Sequence, residues 1–233
     1  MPITGFSALS PGGFRTCSPL PRHPAWMSCH FSAQGLTDLP RSLPAGSLLI
    51  LDDSTPPEHC TADAILDGLR NWLSSQAVSG LLLDFQRPGN PFCEELAPVL
   101  SEALSCPVAV TESYAAFTKG PVFLGLLPPH QGLKQQTEFF EGRELWMELG
   151  PSPEQILLTE HGASVTSLPG SPPRCPQWDL DLHCHYKISL SEDQAVFTLL
   201  RNREDLRALL RDAQDLGVTR YVGLYGELAP LGL

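Results

Sequence analysis

Acidic, amide and aromatic side chains recur directly after short apolar runs in this chain. Asp52 follows Leu48-Leu49-Ile50-Leu51, and Asp53 comes next. Asp84, Gln86 and Arg87 follow Gly80-Leu81-Leu82-Leu83. Glu112 and Tyr114 follow the run that starts at Pro107, Glu148 follows Leu145-Trp146-Met147, and Tyr225 and Glu227 close the last run. Carboxylates gathered in one cleft can serve as general acid and nucleophile on a glycosidic bond. Aromatic faces at the same rim can stack on a sugar ring. On this reading Glu112 and Glu148 supply the acid/base and the nucleophile, and Asp84 orients them. Gln86, Arg87, Tyr114, Asp52, Tyr225, Glu227, Trp146 and His30 contact the ligand. A strand end that meets solvent also tolerates acids, so convergence at one mouth is what separates a site from an ordinary surface.

Other constellations carry less. Asp179, Asp181, His183 and His185 would share one face of a strand, and two histidines with an acid suit zinc. That run lies in a hairpin whose outer face is polar anyway, and no metal is expected. Cys29 and His30 are neighbours on a strand and point to opposite faces, which keeps them from cooperating as nucleophile and base. Ser113 lacks a GxSxG elbow. Neither GxGxxG nor GxxxxGK follows any strand, so no nucleotide or other cofactor is expected.

The elements that must position these groups alternate. Runs without polar alternation, such as Leu81-Leu82-Leu83, read as parallel strands buried on both faces. Strands are expected at 26–31, 47–53, 80–85, 107–112, 121–127, 144–149 and 218–225, about seven in all. Helices fall between several of them. Thr61 caps a helix bearing Ile65, Leu66, Leu69, Trp72 and Leu73, and Pro56-Pro57 ends the strand before it. Asn90-Pro91 opens a helix over about 91–104, a third covers about 132–141, and Asn202 caps a fourth that stops at Gly217. Residues 1–25 are rich in Pro, Gly and Ser and read as an irregular lead-in. Between 151 and 201 the rhythm changes to two hairpins, 155–168 and 182–200, joined by a Pro-rich link from Gly170 to Pro176. Alternating strands and helices imply right-handed crossovers. With polar groups at nearly every strand end, the fold class is α/β: a TIM-like (β/α)8 barrel, complete or one strand short, with a small antiparallel insert before the last helix and strand.

Composition bounds the partners. The chain has 233 residues, 42% hydrophobic, with a formal net charge of -11 and pI near 5.0. That excludes the basic footprint needed for nucleic acid or an anionic membrane. No apolar run approaches the roughly 20 residues of a membrane span. No signal peptide is visible, and seven irregularly spaced cysteines read as reduced thiols, so a cytoplasmic location is expected.

Gly80-Leu81-Leu82-Leu83-Asp84-Phe85-Gln86 resembles the barrel strand of family-eighteen glycoside hydrolases, the chitinase-like group. Their motif is DxxDxDxE, with the terminal glutamate as the acid. Gln86 stands at that glutamate and Asp84 at the aspartate two places before it. The earlier aspartates fall on Leu82 and Ser79. The insert before the final strand is similar to that family's inserted α+β region. The resemblance implies a carbohydrate substrate and a substrate-assisted mechanism, but an amide cannot donate the proton that a leaving sugar oxygen needs. Either Glu112 or Glu148 has taken over, or the cleft binds without cutting. The expectation is therefore a glycoside hydrolase-like barrel acting on or binding a carbohydrate or other small molecule. The alternative is a non-catalytic barrel serving as a saccharide- or peptide-binding or protein-interaction module.

Overall fold

The computed structural model describes residues 2–33, 35–55, 59–168 and 174–233. Pro56, Pro57 and positions 170–173 of the Pro-rich link lie outside the described residues. Eight parallel strands form the barrel: β1 (Thr4–Leu9), β2 (Pro24–Ser32), β4 (Leu48–Asp52), β5 (Gly80–Asp84), β6 (Val108–Thr111), β7 (Val122–Leu124), β8 (Leu145–Glu148) and β14 (Val218–Leu224). A three-residue strand, β3 (Gly35–Thr37), adds antiparallel to β2. The order β1-β14-β8-β7-β6-β5-β4-β2 is closed by pairing of β1 with β2. The barrel is thus complete.

The eighth strand is β1, which falls inside the segment read as irregular. Its six residues, Thr-Gly-Phe-Ser-Ala-Leu, mix strand-prone Thr4 and Phe6 with Gly5, Ser7 and Ala8, too mixed a pattern to mark a strand alone. What makes them a strand is pairing on both sides, with Arg220 to Leu224 and with Pro24 to Trp26. Tertiary context overrode local composition here. The following helix α1 (Pro11–Thr16) is capped by the Ser10 hydroxyl, which accepts from Gly13 N.

Alternation along each strand sorts the core into two shells. Phe6, Ala8, Leu48, Ile50, Leu82, Ala109, Phe123, Trp146 and Val222 fill the barrel interior. Their neighbours one residue away point outward. Leu49, Leu51, Leu81, Leu83, Val108 and Val110 pack under the helices α2 (Ala62–Leu73) and α3 (Pro91–Ala103). On the far side Val122, Leu124, Leu145, Met147 and Val218 pack with α4 (Leu133–Glu138) and α5 (Arg203–Asp215). Each fully buried leucine is worth roughly 1.5–3 kcal/mol. Trp146 plugs the lower interior. The Arg220 guanidinium lies 4.4 Å over its ring, and Arg220 Nη1 donates to Ser79 O at 3.0 Å. Gly80 opens β5 because a Cβ there would stand 2.9 Å from the Trp146 ring.

The insert is a second sheet of five antiparallel strands between β8 and α5. They are β9 (Glu154–Thr159), β10 (Gly162–Ser167), β11 (Gln177–Asp179), β12 (Cys184–Leu190) and β13 (Gln194–Leu200), in the order β10-β9-β13-β12-β11. Arg201, 1% exposed, ties it to the barrel by donating to the carbonyls of Leu127, Pro128, Leu182 and His183. His130 pairs with Glu154 at 2.7 Å. The chain ends with β14, helix α6 (Tyr225–Leu228) and a short 3-10 turn. Among the described residues, no helix is long and apolar enough to cross a membrane.

Candidate functional site

Side-chain parity decides which strand-end groups reach the axis. Ile50, Leu82, Trp146 and Val222 point inward, so the residues two further on, Asp52, Asp84, Glu148 and Leu224, also point inward at the carboxyl ends. These four stand over a cavity of about 130 Å³ floored by Ala8, Met27, Ile50, Leu82, Phe123 and Val222. Asp52 lies opposite Asp84 in the β4–β5 register. His30 lies opposite Asp52, and its Nδ1 sits 2.7 Å from Asp52 Oδ2. Ser54 N donates to Asp52 Oδ1 at 2.9 Å, and the Ser54 hydroxyl is 3.3 Å from the same ring nitrogen.

Two carboxyls of this mouth, Asp84 and Glu148, hold their protons above the ordinary range. Burial raises Asp84 most; the charges of Asp52 and Asp53 add to it, and the Gln86 amide, which donates to the Asp84 carboxylate, opposes it. Burial also leads for Glu148, followed by the charge of Asp84, with Glu227 adding a smaller push. The Leu126 N–H, 3.1 Å from Glu148 Oε2, pulls the other way. Glu148 therefore feels the Asp84 charge across the mouth, and a nearby like charge favours the protonated form of an acid.

Asp53 has the opposite parity to Asp52 and turns away from the axis. It is 2% exposed, and its two oxygens accept from Gln86 N at 2.9 Å and Arg87 N at 3.1 Å. The loop after β4 thereby holds the loop after β5. Arg87 Nη2 donates to Ser54 O at 3.0 Å and reinforces the clamp. Strand parity alone says only that adjacent Asp52 and Asp53 cannot both face the axis.

Several expected site residues sit elsewhere. Glu112 shares the outward parity of Val108 and Val110. It sits beside α4, where Gly125 N donates to its Oε2 at 3.3 Å and Gln136 lies 3.5 Å away. It does not line the cavity with Asp84 and Glu148. Tyr114 is fully buried in the outer shell, and its hydroxyl donates to Arg87 O. Trp146 is fully buried inside the barrel, with Nε1 donating to Glu144 Oε1 at 2.9 Å. Neither offers a face to a sugar. Gln86 and Arg87 are exposed at the rim, as is Glu227. Tyr225 is half-buried.

The histidines of the insert are divided between separate acids. His183 Nε2 lies 2.7 Å from Asp212 and His185 Nδ1 lies 2.8 Å from Asp205, both on α5. Among the described residues, no group of three or more His, Cys, Asp or Glu is placed to hold a metal ion. Cys29 packs in the outer shell, where burial pushes its thiol up to about 12, against any nucleophilic role.

No family model matches the chain. No curated protein matches it in sequence. Solved structures do match in shape. A glycoside hydrolase family 18 N-acetylglucosaminidase from Paenibacillus barengoltzii superposes with a TM-score of 0.64 at 10% identity, covering 96% of this chain and 95% of that one. A chitinase from Chromobacterium violaceum gives 0.61 at 10% identity, covering 97% and 95%. Human YKL-39, described as a pseudo-chitinase with retained chitooligosaccharide binding, gives 0.52 at 9% identity, covering 95% and 92%. In fold, the chain is similar to the hydrolases of glycoside hydrolase family 18 and to the chitinase-like proteins that share their barrel.

Proposed function

We propose that the barrel mouth binds a saccharide, of the N-acetylglucosamine-containing class, without cleaving it through the position that resembles the family's acid. The observation that carries this is Gln86. It follows β5, where the resemblance expects the proton donor, and its amide is committed to Asp84. An amide neither loses nor supplies a proton at ordinary pH, so leaving-group protonation has no donor there. Binding has what it needs: Asp52, Asp84 and Glu148 accept hydrogen bonds from hydroxyl or amide groups over an apolar floor. The chitooligosaccharide binding retained by one pseudo-chitinase neighbour supports the same reading. The enclosed part of the mouth is small, so one sugar ring is engaged there and the remainder lies across the rim.

One observation favours a second reading. Glu148 lines the same cavity as Asp84, and its carboxyl is raised by burial and by that neighbour. Those are the properties of a general acid. The experiment is a panel of aryl glycosides, N-acetylglucosaminides included, assayed with wild type, Glu148→Gln and Asp84→Asn. Inactivity across the panel, with sugar-dependent stabilisation against heat, supports binding alone. Turnover by wild type that Glu148→Gln abolishes overturns it in favour of a hydrolase with a relocated acid.

A further inference from the structure

Among the described residues, the insert ends in an open, uncharged sheet edge. Leu168 N donates to Pro153 O at 3.0 Å, which extends the β9–β10 register by one pair. Antiparallel alternation then makes Thr166/Gln155, Ser164/Leu157 and Gly162/Thr159 the hydrogen-bonded pairs. The N–H and C=O groups of Ala163, Val165 and Ser167 point away from the sheet. Strand β10 pairs only with β9 among the described residues, and all six of its side chains are exposed. The usual devices that blunt an edge are missing from Gly162–Ser167: no charge, no proline, no bulge. The edge also borders an apolar face. Cross-strand register aligns Val165, Ile156, Phe197 and Ile188 in one row. Val165 is 50% exposed, and Leu190 in the next row is 78% exposed.

We propose that two copies of this chain join through β10, antiparallel about a two-fold axis, so that the two five-stranded inserts become one continuous sheet. The edge is self-complementary. With Val165 opposite itself on the axis, Ala163 falls opposite Ser167, and each of the three outward-facing residues meets an outward-facing residue. The same register keeps both apolar rows on one face, so the row from Ile188 to Val165 runs through the axis into its own copy. An unrelated extended peptide would satisfy the edge but would end that row at Val165. The strand carries no charge, so the net charge of -11 on each chain does not meet itself across the contact.

The test combines sedimentation equilibrium with amide hydrogen exchange across a concentration series. Wild type is expected to approach twice 25.4 kDa as concentration rises. The amides of Ala163, Val165 and Ser167 are expected to slow by about tenfold or more over the same range. Ser167→Pro removes an outward donor without touching the β9–β10 ladder, and Val165→Lys puts a charge on the axis; both are expected to stay monomeric. A monomer at every concentration overturns the proposal. So does a dimer that both variants leave intact, or edge amides that slow only when an unrelated extended peptide is added. Should either variant fold poorly, concentration-dependent protection of the three wild-type amides decides alone.

Discussion

Replacing Asp53 by alanine tests how the loop after β5 is held. Its buried carboxylate accepts Gln86 N at 2.9 Å and Arg87 N at 3.1 Å. A hydrogen bond to a charged partner contributes about 1.5–3 kcal/mol net. Two offsets reduce the sum. Gln86 and Arg87 are exposed, so water reaches part of the loop once it loosens. Removing the Asp53 charge also relieves Asp84, which Asp53 pushes upward. The expected net cost is about 3 kcal/mol, roughly 6–12 °C in Tm for a chain of this size. The assay is urea unfolding with the m-value held common. Asp53→Asn keeps one acceptor oxygen and is expected to cost about half as much. Because Gln86 is released from Asp84, saccharide affinity is expected to fall as well. An Asp53→Ala variant within about 0.5 kcal/mol of wild type would refute the clamp.

Asp84 and Glu148 are both raised above their ordinary values of 3.8 and 4.5, so folding favours their protonated forms. The stability they contribute is present below the ordinary range and is lost as pH climbs through the raised values. Asp84→Asn and Glu148→Gln are therefore expected to raise Tm at pH 7, a gain that vanishes towards pH 4, read by melting at both pH values. Gln86→Glu returns a proton donor to the position that resembles the family's acid. Its aryl-glycosidase rate at acidic pH is expected to exceed wild type by about 10²-fold, the low end of general-acid contributions; no gain would mean that Leu82 and Ser79 matter as much as Gln86. Arg201→Met strands carbonyls of Leu127, Pro128, Leu182 and His183. It is expected to cost on the order of 3 kcal/mol and to speed limited proteolysis within 151–201. Glu112→Gln is expected to leave saccharide affinity unchanged, because Glu112 faces α4 rather than the cavity.

The barrel was legible in the sequence because buried parallel strands leave runs such as Leu81-Leu82-Leu83 with no polar alternation. The insert was legible because its short apolar runs are joined by tight turns such as His161-Gly162 rather than by helices. Strand β1 was not, since Gly5, Ser7 and Ala8 dilute the β-prone Thr4 and Phe6, and the segment becomes a strand by pairing on both edges. The three-residue strands β3 and β11 are likewise fixed by their partners. Asp52, Asp84 and Glu148 stand out in the sequence only as strand-end acids; they line one cavity because they lie two residues beyond inward-facing Ile50, Leu82 and Trp146. The same counting separates Glu112 from them, but only once Ala109 is known to face inward. Run-length alone does not give that phase. Trp146 looks like a rim aromatic in sequence because a strand tip and a strand interior differ by only two residues, and Tyr114 because no local pattern shows that the 3-10 turn after β6 folds it back against the Arg87 carbonyl. The Asp53 clamp depends on where the loop after β5 passes, which no local pattern encodes.

The most direct test of the account is a calorimetric titration of the protein with N-acetylglucosamine oligomers, run on wild type, Asp84→Asn and Glu148→Gln. Wild type is expected to bind saturably, and each variant at least tenfold more weakly while the fold stays intact. Absence of binding by well-folded wild type, or binding indifferent to both substitutions, would contradict it.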